Sequence, residues 1–194
     1  MSLVAIRNKV RNLIDDLPTS NTDIYSYMGI DSFILREANI VDIVEVSVNG
    51  VSSGVTYTLD TTFNKITITS GGLLTNDLVE IPYSCYLNYS DTQIDSFISN
   101  ALDYLNLYYT TFVIEDDYRT TAESGAQDIF PSPSIGEESL IAVITAILIN
   151  PKNVTIALPD IKITPSEKVS TDTLIQRQIA SYKKRMSKDS YEVV

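Results

Sequence analysis

The chain has 194 residues, a net charge of −11 and an apolar fraction of 44%. That length suits one large domain, or one domain with an insertion, and that apolar content excludes wholesale disorder. The charge is uneven. In residues 1–16 Arg7, Lys9 and Arg11 stand against Asp15 and Asp16, a sum of +1; in residues 172–194 Arg177, Lys183, Lys184, Arg185 and Lys188 stand against Asp172, Asp189 and Glu192, a sum of +2; the rest carries −14. This distribution does not suit a duplex nucleic-acid binder, which needs a clustered basic footprint, and no sequence-specific nucleic-acid binding is expected. It suits a protein that docks a basic end on an acidic partner. The C-terminal charges can equally complement a helix dipole.

Ser2 can cap a first helix from about Leu3 to Asp16, with Leu3, Ile6, Val10, Leu13, Ile14 and Leu17 as its apolar stripe. Pro18 and Thr-Ser-Asn-Thr then stop it. Ile24 to Ile30 fits either a short strand or an irregular packing segment, and Phe33 to Arg36 fits a strand. From Ile43 the period turns to two. Val44, Val46 and Val48 alternate with Glu45 and Ser47, and Asn49-Gly50 marks a turn. Val55, Tyr57 and Leu59 give a second strand, Lys65 to Thr69 a third, and Val79, Ile81, Tyr83 and Cys85 one face of a fourth. Pro82 falls on the opposite parity, which predicts an edge strand. The spacing predicts a small antiparallel sheet or sandwich, with flanking helices as its cover.

Ser90 to Tyr109 then carries Ile94, Phe97, Ile98, Ala101, Leu102, Leu105 and Tyr108 at helical spacing, with Ser90 and Gln93 placed as a capping box. Thr110 to Gly136 has no sustained period, and Thr120 to Ser134 reads as a long link. Ser134 and Glu137 form another capping box and open a helix to about Asn150, apolar on nearly every face. Asn153 to Thr164 reads as a hairpin or extended arm turning at Pro159-Asp160. Asp172 or Thr171 caps a last helix to about Lys188, with Ile175, Ile179, Tyr182 and Met186 as its stripe. The final six residues read as a tail.

Few residues point to catalysis. The chain has no histidine, which removes the commonest general base and the usual triads. Gly50-Val51-Ser52-Ser53-Gly54 matches a nucleophile-elbow pattern, but it joins two predicted strands and lacks a base. Ser181 and Lys184 match S-x-x-K on a basic terminal helix with no companion element. Glu115, Asp116 and Asp117 lack the spacing and glycine of a calcium loop. Cys85 shares parity with core residues, and a lone cysteine allows no internal disulfide. The sequons at Asn88 and Asn153 carry little weight without a secretory signal, and Met1 leads straight into a charged helix. The apolar run Leu140–Ile149 is too short to span a membrane. No cofactor, no metal and no membrane partner are expected, and the chain is not expected to be an enzyme.

The segment Y-L-N-Y-S-D-T-Q-I-D-S-F-I-S-N-A-L-D-Y-L-N, residues 86–106, resembles the helix opening of head–tail connector (adaptor or head-completion) proteins of tailed bacteriophages. Asp91, Asp95, Ala101 and Leu105 fill the characteristic places. The stretch from V-S-V-N-G to N-D-L-V-E-I-P-Y resembles small β-domains of phage virion proteins. This resemblance implies a ring of subunits, usually twelve, under the portal vertex. It also implies a C-terminal segment that docks on the portal, here residues 172–194, with Arg177, Ile179, Tyr182, Lys183, Lys184 and Arg185 as contacts. The chain departs from the compact family form by carrying a β-region between its first and second long helices.

The expected fold is α+β, a helical bundle core from residues 1–20 and 88–194 with a small antiparallel β-region at 21–87. The expected function is a head-to-tail connector subunit of the virion neck, made in the host cytoplasm. Its expected partners are its own copies, the portal and a downstream neck or tail protein. Deleting 172–194 is expected to abolish portal binding and leave the fold intact. The alternatives are another neck or tail-completion component and, in a different class, a carbohydrate- or receptor-binding β module built on the tyrosines.

Overall fold

The computed structural model describes residues 3–52, 54–70, 72–116, 127–151, 156–158, 161–163 and 170–189. The protein is mixed α+β, with four helices and several small antiparallel sheets among those residues. The chain divides into two compact units, Met1–Asp15 with Asp91–Val194, and Asp16–Ser90.

Helices dominate the first unit. They are α1 (Leu3–Ile14), α2 (Asp91–Tyr108), α3 (Ile135–Ile149) and α4 (Thr171–Asp189). α3 packs against all three others. Its sequence explains why: Leu140, Ile141, Val143, Ile144 and Ile147 leave no polar stripe, and all are buried. Each such side chain contributes about 1.5–3 kcal/mol on burial. Thr145 sits among them, and its hydroxyl donates to the Ile141 carbonyl at 2.8 Å. The expected capping box opens α3: the Glu137 amide donates to Ser134 Oγ at 3.3 Å and the Ser134 amide to Glu137 Oε2 at 2.8 Å. α2 buries Ile94, Ile98, Ala101, Leu102 and Leu105. Asn106 closes its exit, accepting from the Phe112 amide at 2.6 Å and donating to the Phe112 carbonyl at 2.9 Å.

Several boundaries differ from expectation. α1 stops at Ile14, because Asp15 turns into the left-handed region at φ 59°. Leu13 and Leu17 are exposed rather than part of the stripe. The expected cap Ser2 lies outside the described residues. α4 is capped by Ser170, whose Oγ accepts from the Thr173 amide at 3.3 Å, rather than by Thr171 or Asp172. Part of the expected link 120–134 is a strand: β8 (Val113–Asp116) pairs antiparallel with β9 (Gln127–Phe130). The hairpin expected at 153–164 forms from β10 (Ile156–Leu158) and β11 (Ile161–Ile163). Its Pro159-Asp160 turn and the tail beyond Asp189 lie outside the described residues.

The second unit holds β1 (Thr19–Ser26), β2 (Ser32–Ile34), β3 (Ile40–Ile43), β4 (Ser47–Val48), β5 (Thr56–Asp60), β6 (Lys65–Ser70) and β7 (Leu78–Cys85). β7 is central, with β1 on one side and β3 and β4 on the other; β6 lies between β2 and β5. Inward residues of both sheets form one core: Phe33, Ile66 and Ile68 join Ile40, Ile43, Val79, Ile81 and Tyr83. Asn49 and Gly50 both have positive φ, 51° and 77°, and Val48 and Val51 exchange hydrogen bonds at 2.9 Å across them. That is the two-residue turn which an Asn-Gly pair favours.

Two expectations fail here. Pro82 does not mark an edge, since β7 is paired on both sides. The Pro82 carbonyl accepts from the Val44 amide at 2.9 Å, so its missing donor faces the gap between β3 and β4. The single strand expected over Ile43–Val48 is broken at that gap. Val46 is buried while Val44 is exposed, so the two do not share a face. The first helix has ended before Pro18, as expected, and β1 runs through the polar stretch after it into the segment from Ile24 that was expected as a short strand or irregular packing. Its inward residues Asn21 and Asp23 are polar and satisfied. Asp23 is 3% exposed and accepts from the Arg36 amide at 2.8 Å and the Tyr83 hydroxyl at 3.2 Å.

Candidate docking surface

The residues singled out for docking all lie on α4. Its inward face is Leu174, Ile175, Gln178, Ile179 and Tyr182, all buried. This is an a/d-like stripe that seats the helix against α3 and α2. Ile179 is therefore not available to a partner, and Tyr182 is buried apart from the wall it gives to a cavity beside Gly136. They hold the helix in place.

Lys183 is tied down as well. Its ammonium donates to the Tyr108 carbonyl and stands 5.8 Å from the centre of the Tyr109 ring. Two turns back, Gln176 donates to Tyr108 Oη and to Asp172 Oδ2, both at 3.2 Å. Tyr109 donates to Glu137 Oε1 at 3.1 Å and meets Tyr182 edge-on, with ring centres 5.6 Å apart. Burial pushes the Tyr109 phenol up to about 12, and the hydrogen bond and charge of Glu137 push the same way. The end of α2, the start of α3 and the middle of α4 are thus joined by tyrosines. The sequence carried a signal for this joint in the pair Tyr108-Tyr109 at a helix end.

Arg177, Lys184 and Arg185 remain. All three are exposed, and among the described residues none has an ion-pair partner. Arg177 and Lys184 are a heptad apart and share one face of the helix. The open basic surface is therefore three residues, half the set expected.

The basic residues of the N-terminal end are spent inside the first unit. Arg7 reaches Asp91 and Asp95 at 2.7 Å each, and Arg11 reaches Asp91 at 2.7 Å. Lys9 meets Glu138, a buried carboxylate on α3, at 2.6 Å. Sequence reasoning placed Asp91 and Asp95 only as helix-start residues; the arginines that hold them lie 80 or more positions away.

Other candidates fall where a structural role suffices. Gly50 to Gly54 joins β4 to β5, a strand-to-strand link. Cys85 is fully buried on the inward face of β7, and the Asn21 side chain donates to its sulfur at 3.4 Å. Glu115 lies on β8, while Asp117 and Asn153 lie outside the described residues. Asn88 donates to Asp16 Oδ1 at 3.3 Å. Burial lifts the Tyr25 phenol to about 12, helped by the charge of Asp23, which closes the β core. Among the described residues no cluster of three or more ligating side chains could hold a metal ion, and no helix is long and apolar enough to cross a membrane.

No protein-family model, curated protein or solved structure matches the chain.

Proposed function

We propose that this chain is a virion structural protein, a head-to-tail connector subunit that links the portal to the tail and lets DNA pass. In this reading the helices form a bundle core, and the β-region is an insertion between the first and second long helices. The observation that carries the reading is the open basic surface of α4, where Arg177, Lys184 and Arg185 are exposed and have no ion-pair partner among the described residues of a chain that is acidic as a whole. Such a face is suited to an acidic protein partner, and its charge would guide docking and set the orientation. The acidic remainder would repel DNA passing through a ring. The β-module alternative has less support, because Tyr25 and Tyr57 pack against the β core and Tyr83 is part of it.

The test is the mass of the purified protein by light scattering, alone and with the portal protein, with negative-stain images of both samples. Rings of about a dozen subunits, alone or on the portal, are the expected result. A monomer that ignores the portal overturns the reading.

A further inference from the structure

A cavity of about 210 Å³ lies between α3 and α4. Gly136, Ser139 and Val143 line it from α3, and Gln178, Tyr182 and Arg185 from α4. Gly136 lets the helices approach: a Cβ there would stand 3.1 Å from the Tyr182 ring. The wall is more apolar than polar, but it is not inert. Tyr182 is 8% exposed, and its hydroxyl lies near the Tyr109 hydroxyl without making a hydrogen bond of good geometry. Buried hydroxyls are normally satisfied, so a guest with a polar atom would complete a bond that Tyr109 supplies only in part. Arg185 lines the cavity, is exposed and has no ion-pair partner among the described residues.

Volume and chemistry together restrict the guest. An apolar cavity of about 150 Å³ already takes benzene. The larger cavity here takes a six-membered ring with one polar substituent. The guanidinium beside it calls for a carboxylate next to that ring. Arg177 and Lys184, exposed on the same helix, extend the preference for negative charge.

We propose that the α3–α4 cavity is a socket for an aromatic side chain of a partner protein, with Arg185 pairing to a carboxylate adjacent to that side chain. The proposal rests on the reading of α4 as a docking element and names the chemistry of what docks. A tyrosine within an acidic segment meets every requirement. Its ring fills the cavity, its hydroxyl meets Tyr182, and its acidic neighbours meet Arg185. This gives the docking face an anchor of the kind that dominates interfaces, a ring in a pocket with a charged rim.

The probe is an acetylated peptide, Glu-Asp-Tyr-Asp-Glu, titrated into the full chain and followed by amide NMR shifts. Saturating shifts at Gly136, Ser139 and Val143 are expected. Val143→Phe, which fills the cavity, and Arg185→Glu, which reverses its rim, should each weaken binding at least tenfold. Circular dichroism checks that both variants keep their helices. Equal binding of the peptide with alanine for tyrosine overturns the proposal, as does an absence of shifts at the cavity. A rise in mass without peptide that Val143→Phe abolishes would make a second copy the occupant and overturn the partner assignment. The connector reading fails separately: ring formation with no peptide binding removes the socket alone.

Discussion

Arg7, Lys9 and Arg11 on α1 and Arg177, Lys184 and Arg185 on α4 are two sets of three cations, and their surroundings differ. On α1 each cation meets a carboxylate of α2 or α3 within 2.7 Å. On α4 none of the three meets an acid among the described residues. Composition makes the two ends look alike. What separates them is the face on which the charges sit. Arg7 and Arg11 are four positions apart, on the side of α1 that meets the start of α2. Arg177 and Lys184 lie off the stripe that seats α4. Positive charge is structural at one end and available at the other.

Mutations can sharpen that contrast. The largest effect is expected where α4 itself is seated. Ile179→Ala should cost about 2–5 kcal/mol in urea unfolding, as for other buried isoleucines. For the same reason, deleting 172–194 would strip Leu174, Ile175, Ile179 and Tyr182 from the core. Deletion is therefore expected to destabilise the fold, contrary to the expectation from sequence, and charge reversal is the cleaner probe.

Next is Lys9→Ala, which leaves Glu138 buried without its cation. About 3 kcal/mol is expected, at the low end for a broken buried pair because the lysine is partly exposed. Arg7→Ala should cost about 1–2 kcal/mol, since water reaches Asp91 and softens the loss. Replacing Arg177, Lys184 and Arg185 together by glutamate should change stability by no more than about 0.5 kcal/mol per site. A cost comparable to that of Lys9→Ala would break the contrast.

A smaller effect is expected at high pH. Tyr109 has its pKa raised to about 12 from an ordinary value of 10. Between those values the unfolded chain has lost a proton that the folded chain keeps. The phenol therefore adds stability that is undiminished below pH 10 relative to its high-pH limit and falls as pH rises towards 12. Tyr109→Phe should show a shallower fall in melting temperature over that window. An unchanged slope would mean that the phenol is not held neutral by its site.

What was legible in the sequence followed from strong periods. α3 showed as an apolar run behind a capping box, and β5, β6 and β7 showed as alternating valine, isoleucine, threonine and tyrosine. β1 was not legible, because Asn21 and Asp23 face inward and are satisfied by partners far along the chain. Pro82 misled because its effect depends on which neighbouring strand lacks an acceptor for a missing donor. The docking set was legible as a helix but not as a face. Ile179 and Tyr182 seat the helix, and Lys183 bends to Tyr108 and Tyr109. The N-terminal ion pairs could not be read, since each joins residues 80 or more positions apart.

The central claim is that α4 presents its free cations to an acidic partner. The direct measurement is portal binding, by light scattering at low and physiological salt, for the wild-type chain and for the triple glutamate variant. The account predicts a complex for the wild type that weakens with salt and is lost in the folded variant. Equal binding by both proteins would contradict it.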